Sequence, residues 1–526
     1  MMSWIVSFSA IVTLYSFALG ILYLVLSSIY NLYFHPLSSF PALSRLTNTR
    51  SGFWSYSGSL GVTQMILNNL RISGQWPWEI EALHEKYGDF VRIGPNELSC
   101  AHPQSTKDIY GQPNINHPQF FRKFVTFYKQ SDVGGSIGTE VDPHIHQGIR
   151  KRLAPGFSAS ALRNQGDIVI RHIDSLLDQI SKHGNTQQGM NMSQWYMWLA
   201  FDVIADLSFG EELGTVERGE GNEWMHMLAN SGFQIALGYV VRRRWKAFQN
   251  LVRYCLVNER SKVMRNKYLA NARHAAAQRL QKGGNIERFD FFSHLLREKA
   301  PEANIDFFAS QGSTLIAAGT ETTSTFMSAL TYHLLQNPDY LKQLQEEVRQ
   351  AFRQHSEING ESTKSLKYLN AVIEEGMRIF NPAPFGLPRV SPGANVAGKW
   401  IPKGVMNFGP NLTTATHVTS RDERWFYNAK EFHPERWLPE DHPRHDVTFG
   451  NDYKEASKPF SIGPRSCIGI HLSYMEIRIC IAKLAWSFDW EQVHEQEDFV
   501  RDARLLGLWK ASPYHVRYRP FQGLRI

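Results

Sequence analysis

Apolar residues recur at spacings of three and four over Glu79–Tyr87, Ser160–Ser181, Trp195–Phe209, Asn304–Gln336, Asp339–His355, Leu369–Phe380 and Gly469–Phe488. That is the periodicity of helices that bury one face. Strand-like stretches are few and short: Phe90–Ile93, Gly398–Ile401 and His515–Tyr518. The pattern predicts a mainly α protein with small β-sheets. From about residue 75 onward no repeat, biased tract or Gly/Ser-rich or Pro-rich linker divides the chain, so one large domain is expected.

The N-terminal pattern differs. Trp4 to Tyr33 is almost unbroken apolar and aromatic sequence, and the first 44 residues contain no Asp, Glu, Lys or Arg. About 20 such residues cross a bilayer as a helix, whereas the apolar region of a signal peptide runs to about 7–15. The expected division is a transmembrane anchor over 4–33, a stiff hinge over 34–50 containing Pro36 and Pro41, and a catalytic domain over 51–526. A buried soluble helix or an uncleaved signal passes the same test. The first charges, Arg45 and Arg50, follow the segment, so the positive-inside bias places the rest of the chain in the cytoplasm.

Composition changes the picture in two places. Among 526 residues, 56 Lys and Arg against 49 Asp and Glu give +7, which invites an anionic partner. Residues 242–282, however, hold twelve Lys and Arg against the single acid Glu259. That segment carries +11 and the remainder −4. A solvated helix face and contact with membrane lipid are both open readings; nucleic acid is not expected, because no nucleic-acid motif accompanies the charge. The four cysteines, Cys100, Cys255, Cys467 and Cys480, form no CxxC pair, which excludes a disulfide scaffold or structural zinc cluster.

Cys467 stands apart. In Phe460-Ser-Ile-Gly463-Pro-Arg465-Ser-Cys467-Ile-Gly469 it precedes a strong helical pattern, where the positive helix end favours a thiolate that can bind iron. Gly463 and Gly469 permit turns and a close approach to a flat cofactor, and Arg465 can pair with a carboxylate. The other three cysteines read as packing. This stretch resembles the haem-thiolate loop of the cytochrome P-450 superfamily, with Phe460, Gly463, Arg465, Cys467 and Gly469 on matching positions. The resemblance implies the cytochrome P-450 fold and Cys467 as axial ligand of the iron of haem b, iron protoporphyrin IX.

Further segments agree. Ala318-Gly319-Thr320-Glu321-Thr322 lies in a long helical pattern. Glycine there costs about 1 kcal/mol relative to alanine, and the small residues and the hydroxyl suit a groove over a haem. It resembles the family's oxygen-activation motif, in which Glu321 and Thr322 manage proton delivery; a small-residue helix crossing with Thr322 bonded to a backbone carbonyl is the plain alternative. Glu375-Gly-Met-Arg378, with Arg436 of Pro434-Glu435-Arg436, resembles the family's buried structural triad. Arg389, after Pro384-Phe-Gly-Leu-Pro388, resembles its propionate-binding arginine, and Phe385 and Leu387 would face substrate. His146 and Arg150 resemble a Trp-x-x-x-Arg helix reaching the propionates, with histidine replacing tryptophan; a surface histidine is the alternative. Asn381 stands where a proline is usual.

The resemblance, closest to endoplasmic-reticulum members from filamentous fungi, implies a single-pass enzyme with its catalytic domain in the cytoplasm. It would insert one atom of O2 into a mostly apolar small molecule by hydroxylation or epoxidation. Electrons would come from a separate NADPH-cytochrome P-450 reductase, since only 57 residues follow Gly469. A reductase-independent isomerase or dehydratase and a non-catalytic membrane haem protein are the alternatives.

Overall fold

The long apolar pattern of the central segment becomes a single helix, Ile305–Gln336, the axis of the core. Asn304 starts it by accepting the Phe307 N–H at 3.0 Å, which satisfies one of the donors a helix leaves free. Asn337 ends it, and Pro338 opens the next helix, Pro338–Ala351, at a position where the missing N–H costs nothing. Met192–Phe209 packs along the axis and is buried on almost every side. Around this pair lie Ala159–His183, Lys367–Ile379 and Ile470–Ser487 in one apolar core. A computed structural model describes residues 2–41, 73–94, 96–113, 120–128, 135–229, 259–283, 289–297, 304–404 and 411–523.

The expected helices are all present, with ends shifted by at most four residues. Phe488 begins a strand instead of closing a helix. The strands are short, and several carry too few residues for a pattern to show. Five form one sheet in the order β1 (Phe90–Gly94), β2 (Glu97–Cys100), β8 (Asn411–Thr414), β5 (Arg389–Val390), β3 (Arg122–Lys123). Its β3–β5 register sets Lys123 directly opposite Arg389. A second sheet joins β4 (Met190–Asn191), β12 (His515–Pro520) and β9 (Phe488–Gln492). Two hairpins, β6–β7 (Ala394–Val396, Lys399–Ile401) and β10–β11 (Arg504–Leu506, Leu508–Lys510), complete the strands among the described residues.

One helix, over Leu14–Phe34, is long and apolar enough to cross a membrane. It ends in a wider turn at Tyr30–Phe34, and the expected hinge begins as a packed strap. Leu37 and Phe40 are buried in a second apolar cluster with Phe90, Leu98, Val396 and Ile401. Arg92 donates to the Asn31 carbonyl at 2.7 Å, and His35 bonds Asn96 at 2.7 Å. Stiffness near Pro36 therefore comes from tertiary packing as well as from proline. Residues 42–50 of the hinge lie outside the described residues.

Of the basic segment, 242–258 likewise lies outside them, and Glu259–Lys282 is a helix. Its buried face is built on Ala272, Ala275, Ala276 and Arg279. Arg279, counted as a free charge from sequence, is buried against Asp290 at 2.6 Å. Lys267 and Arg273 meet Glu223 and Asp306. Part of the +11 is thus answered within the chain.

Candidate active site

The cysteine loop is closed by the Phe460 carbonyl, which accepts the Cys467 N–H at 3.0 Å. Gly463 has φ +75°, and a Cβ there would lie 2.1 Å from the Tyr110 carbonyl. No other residue fits that approach. Gly469 caps Ile470–Ser487, and a Cβ added to it would meet only the Cys467 sulfur, at 4.0 Å, leaving the space beside the sulfur open. The Cys467 side chain is exposed, and it is exposed to a cavity. Burial raises its thiol pKa, and this outweighs the opposing Gly469 N–H and Arg150. The Gly469 N–H acts in the direction the helix-end argument expects, against the larger effect of burial. A bound metal ion would add a further push toward the thiolate. Cys100 and Cys480 are buried packing residues; Cys255 lies outside the described residues.

The cavity holds about 990 Å³ of space free of protein atoms, counting its open mouth. Thr322 and Phe326 wall it from the central helix, Phe460 and Cys467 from the loop, and Phe385 and Leu387 from the turn before β5. Asn381 also lines it and turns the chain as a proline would, its side chain accepting the Ala383 N–H at 2.8 Å. Thr322 donates to the Ala318 carbonyl at 2.5 Å, the bond of the plain alternative, yet its side chain still borders the cavity. Gly319 likewise follows the plain alternative. A Cβ there would meet Ile204 at 2.8 Å, so the room it provides is used by a helix crossing and not by the groove. Glu321 is held in low-dielectric surroundings, and burial pushes its carboxyl up to about 8. It is a neutral acid at pH 7.

Cations gather at one edge. Arg389 donates to the Tyr128 hydroxyl at 2.6 Å, and Arg465 to the carbonyls of Glu140 and Val141 at 2.7 and 3.0 Å. Arg150 bonds the Ser466 carbonyl at 2.7 Å and so braces the residue before Cys467. His146 is buried, not a surface histidine, and burial together with Arg465, Lys123, Arg150 and Arg389 holds its pKa down to about 3. Lys123 was not singled out from sequence. Burial, Arg465 and Arg389 push it down to about 6, and its amino group donates to the Gly138 carbonyl at 2.8 Å. Like charges opposite one another on a strand pair are destabilising, and Glu140 and Asp142 offset them only in part. Such a cluster fits an anionic ligand.

Behind the loop the structure brings Glu375, Arg378 and Arg436 together, all fully buried. Arg378 grips Glu375 through two bonds of 2.8 and 2.7 Å. Arg436 adds a third at 3.1 Å, and the Trp437 indole and the His433 N–H each add one at 2.8 Å. Burial raises the Glu375 pKa, but Arg378 and Arg436 overcome it and hold the carboxyl at about 2. Arg378 also donates to the carbonyls of Ser420, Ala429 and Glu431, and Arg436 to Asp452. Sequence reasoning missed Asp452 and Trp437; the signal available was Trp437, adjacent to Arg436.

A cysteine presented to an apolar cavity beneath a long helix, with cations on its rim, defines a haem-thiolate protein. The family model described as cytochrome P450 matches residues 61–517, and the chain belongs to that family. It is 76% identical over 506 residues to the cytochrome P450 monooxygenase btcC of Colletotrichum orbiculare, covering 96% of this chain and 93% of the relative. It is 38% identical to the cytochrome P450 monooxygenase BOA3 of Botryotinia fuckeliana, over 93% of each chain. The cytochrome P450 monooxygenase poxC of Penicillium oxalicum is 36% identical over 95% of this chain and 93% of its own length. The protein is an oxidoreductase of the cytochrome P450 monooxygenase class, and the family implies a haem-thiolate iron cofactor.

The cavity fits that group. Gly469 leaves open space beside the sulfur, the walls are apolar, and Arg389 and Arg465 on the cavity wall meet the need of two propionates for cations, with Lys123 next to them.

Proposed function

We propose that this protein is an endoplasmic-reticulum monooxygenase of fungal secondary metabolism, anchored through the segment 4–33 with its catalytic domain, 51–526, in the cytoplasm. It inserts one atom of O2 into a mostly apolar small molecule by hydroxylation or epoxidation. Electrons reach it from a separate NADPH-cytochrome P-450 reductase. The observation that carries this reading is the joint exposure of Cys467 and Thr322 to one apolar cavity, with a neutral Glu321 one residue from Thr322.

Each residue has a task. Cys467 ligates the iron of haem b, and Phe460, Gly463 and Gly469 shape the loop that presents its sulfur. Arg389 and Arg465, with Lys123, receive the propionates; Arg150 and His146 brace that edge. Bound there, the haem supplies dioxygen activation and oxygen transfer. Glu321 holds a proton at its carboxyl, and Thr322 passes protons at its hydroxyl, next to Ala318 on the helix. Phe326, Phe385 and Leu387 exclude water and orient the apolar substrate. The Glu321-Thr322 pair favours a monooxygenase over a reductase-independent isomerase.

The reduced carbon-monoxide spectrum tests the assignment. The wild type should show the red-shifted Soret band of a thiolate ligand, and Cys467→Ser should lose both that band and NADPH-dependent oxygen consumption. A wild type without haem, or a serine variant that keeps the band, overturns it.

A further inference from the structure

One helix and one strand beyond the cysteine loop, the turn after β9 carries His494 and Glu497, and β12 opens with His515. The β9–β12 pairing brings them together. One nitrogen from each imidazole and one carboxylate oxygen lie within 4.8 Å of one another, the one such group among the described residues. We propose that His494, Glu497 and His515 form a divalent transition-metal site of zinc class, which staples the β9 turn to β12.

The donor set suits that ion. Two imidazoles and a carboxylate are three ligands of a tetrahedral site with one position left for water, and zinc holds such atoms at about 2.0–2.2 Å. Ligands at that distance stand about 3.5 Å apart, so small side-chain rotations close the group. His515 Nδ1 and Glu497 Oε1 already meet at 2.7 Å, and the rings of His494 and His515 lie 5.1 Å apart, edge to face. All three residues are half-buried, which leaves a path for the ion and limits the side-chain freedom lost on binding.

The surroundings hold the ligands in place. Glu497 Oε2 accepts the His515 backbone N–H at 2.8 Å, which anchors the carboxylate between turn and strand. Gln492 donates to the carbonyls of both His494 and Glu497, at 2.9 and 3.1 Å. Gln336, at the end of the central helix, donates to Gln492 at 2.6 Å. The Val493 N–H bonds the His515 carbonyl at 3.1 Å. Outer bonds of this kind orient metal ligands and raise affinity. Directly after the turn, Phe499 is fully buried against Tyr332 and Tyr514, so an ion here would tie the C-terminal sheet to the core.

The test uses the full-length, haem-loaded protein, in which Cys467 is not a competing thiol. Chelator-treated protein is dialysed against micromolar zinc chloride, and bound metal is counted against haem. The wild type should retain about one zinc more per haem than His494→Ala or His515→Ala, and zinc should raise its melting midpoint but not theirs. Glu497→Gln, which keeps the backbone anchor, should weaken retention without abolishing it. Equal zinc retention in the wild type and both histidine variants, each with an unchanged carbon-monoxide spectrum, overturns the site. Should an alanine variant fail to fold, His494→Gln and His515→Gln provide the same comparison, and equal retention in those overturns it likewise.

Discussion

Two groups of charged side chains lie close to the cysteine loop and are built on opposite principles. In the Glu375–Arg378–Arg436 group every charge is answered within the chain: a carboxylate between two guanidiniums, with backbone carbonyls on the remaining donors. At the cavity edge Lys123, Arg389 and Arg465 face one another with only partial compensation. Burying ions is costly unless they are paired. The first group is therefore complete by itself, and the second is complete only with an anion from outside. The contrast separates a structural site from a binding site without reference to any known protein.

The largest effect should come from breaking the closed group. Glu375→Gln leaves the buried Arg378 without its counter-charge and Arg436 with Asp452 alone, and should cost about 3–5 kcal/mol, read as a lower melting midpoint and little haem-loaded protein. Acid should do the same to the wild type. Glu375 is held at about 2 in the fold against about 4.3 unfolded, so its stabilisation is present above pH 4.3 and is lost as pH falls toward 2. A melting midpoint flat over that window would count against the pairing.

The open group should respond differently. Lys123→Met removes an amine whose charge burial and its neighbours disfavour, so the haem-free protein should melt no lower than the wild type. Haem transfer to a scavenger protein should nevertheless become about tenfold faster, the scale of one charge-assisted bond. If the haem-free protein loses stability while haem is retained as before, Lys123 belongs to the closed kind.

A third measurement concerns the neutral acid that precedes Thr322 on the central helix. With its pKa raised to about 8, Glu321 carries its proton at neutral pH and loses it as pH rises through 8. Turnover limited by proton delivery should fall along that limb, and Glu321→Gln should remove the limb while lowering the plateau. The smallest effect belongs to Gly319. Gly319→Ala gains about 1 kcal/mol of helix propensity but overpacks Ile204, for a net loss of about 1 kcal/mol. Gly319→Ala should cost less in an Ile204→Ala background than in the wild type, whereas a double-mutant cycle with no coupling would place the glycine's role in the groove after all.

The chemistry-bearing segments were legible because each is local. The loop from Phe460 to Gly469 spans ten consecutive residues, and its turn, glycines and following helix all sit within reach of one another. Glu375 and Arg378 share a helix, so their spacing alone places them on one face. Lys123 and Asp452 carried no such signal, because each acquires its role from partners distant in sequence: Lys123 from Arg389 across β3–β5, and Asp452 from Arg436. The purpose of Gly319 stayed open between groove and helix crossing for the same reason, since Ile204 lies on another helix.

What the sequence determined by itself is the helical class, the apolar N-terminal segment, the reactive cysteine and the family. These depend on periodicity and on motifs whose atoms are covalently near one another. Tertiary structure alone decided which charges are spent on the fold and which are left for a ligand, and in which direction burial moves the Cys467, Glu321 and Lys123 protons. Desolvation and charge pairing depend on what surrounds a group in space, and that is set by chain segments hundreds of residues apart.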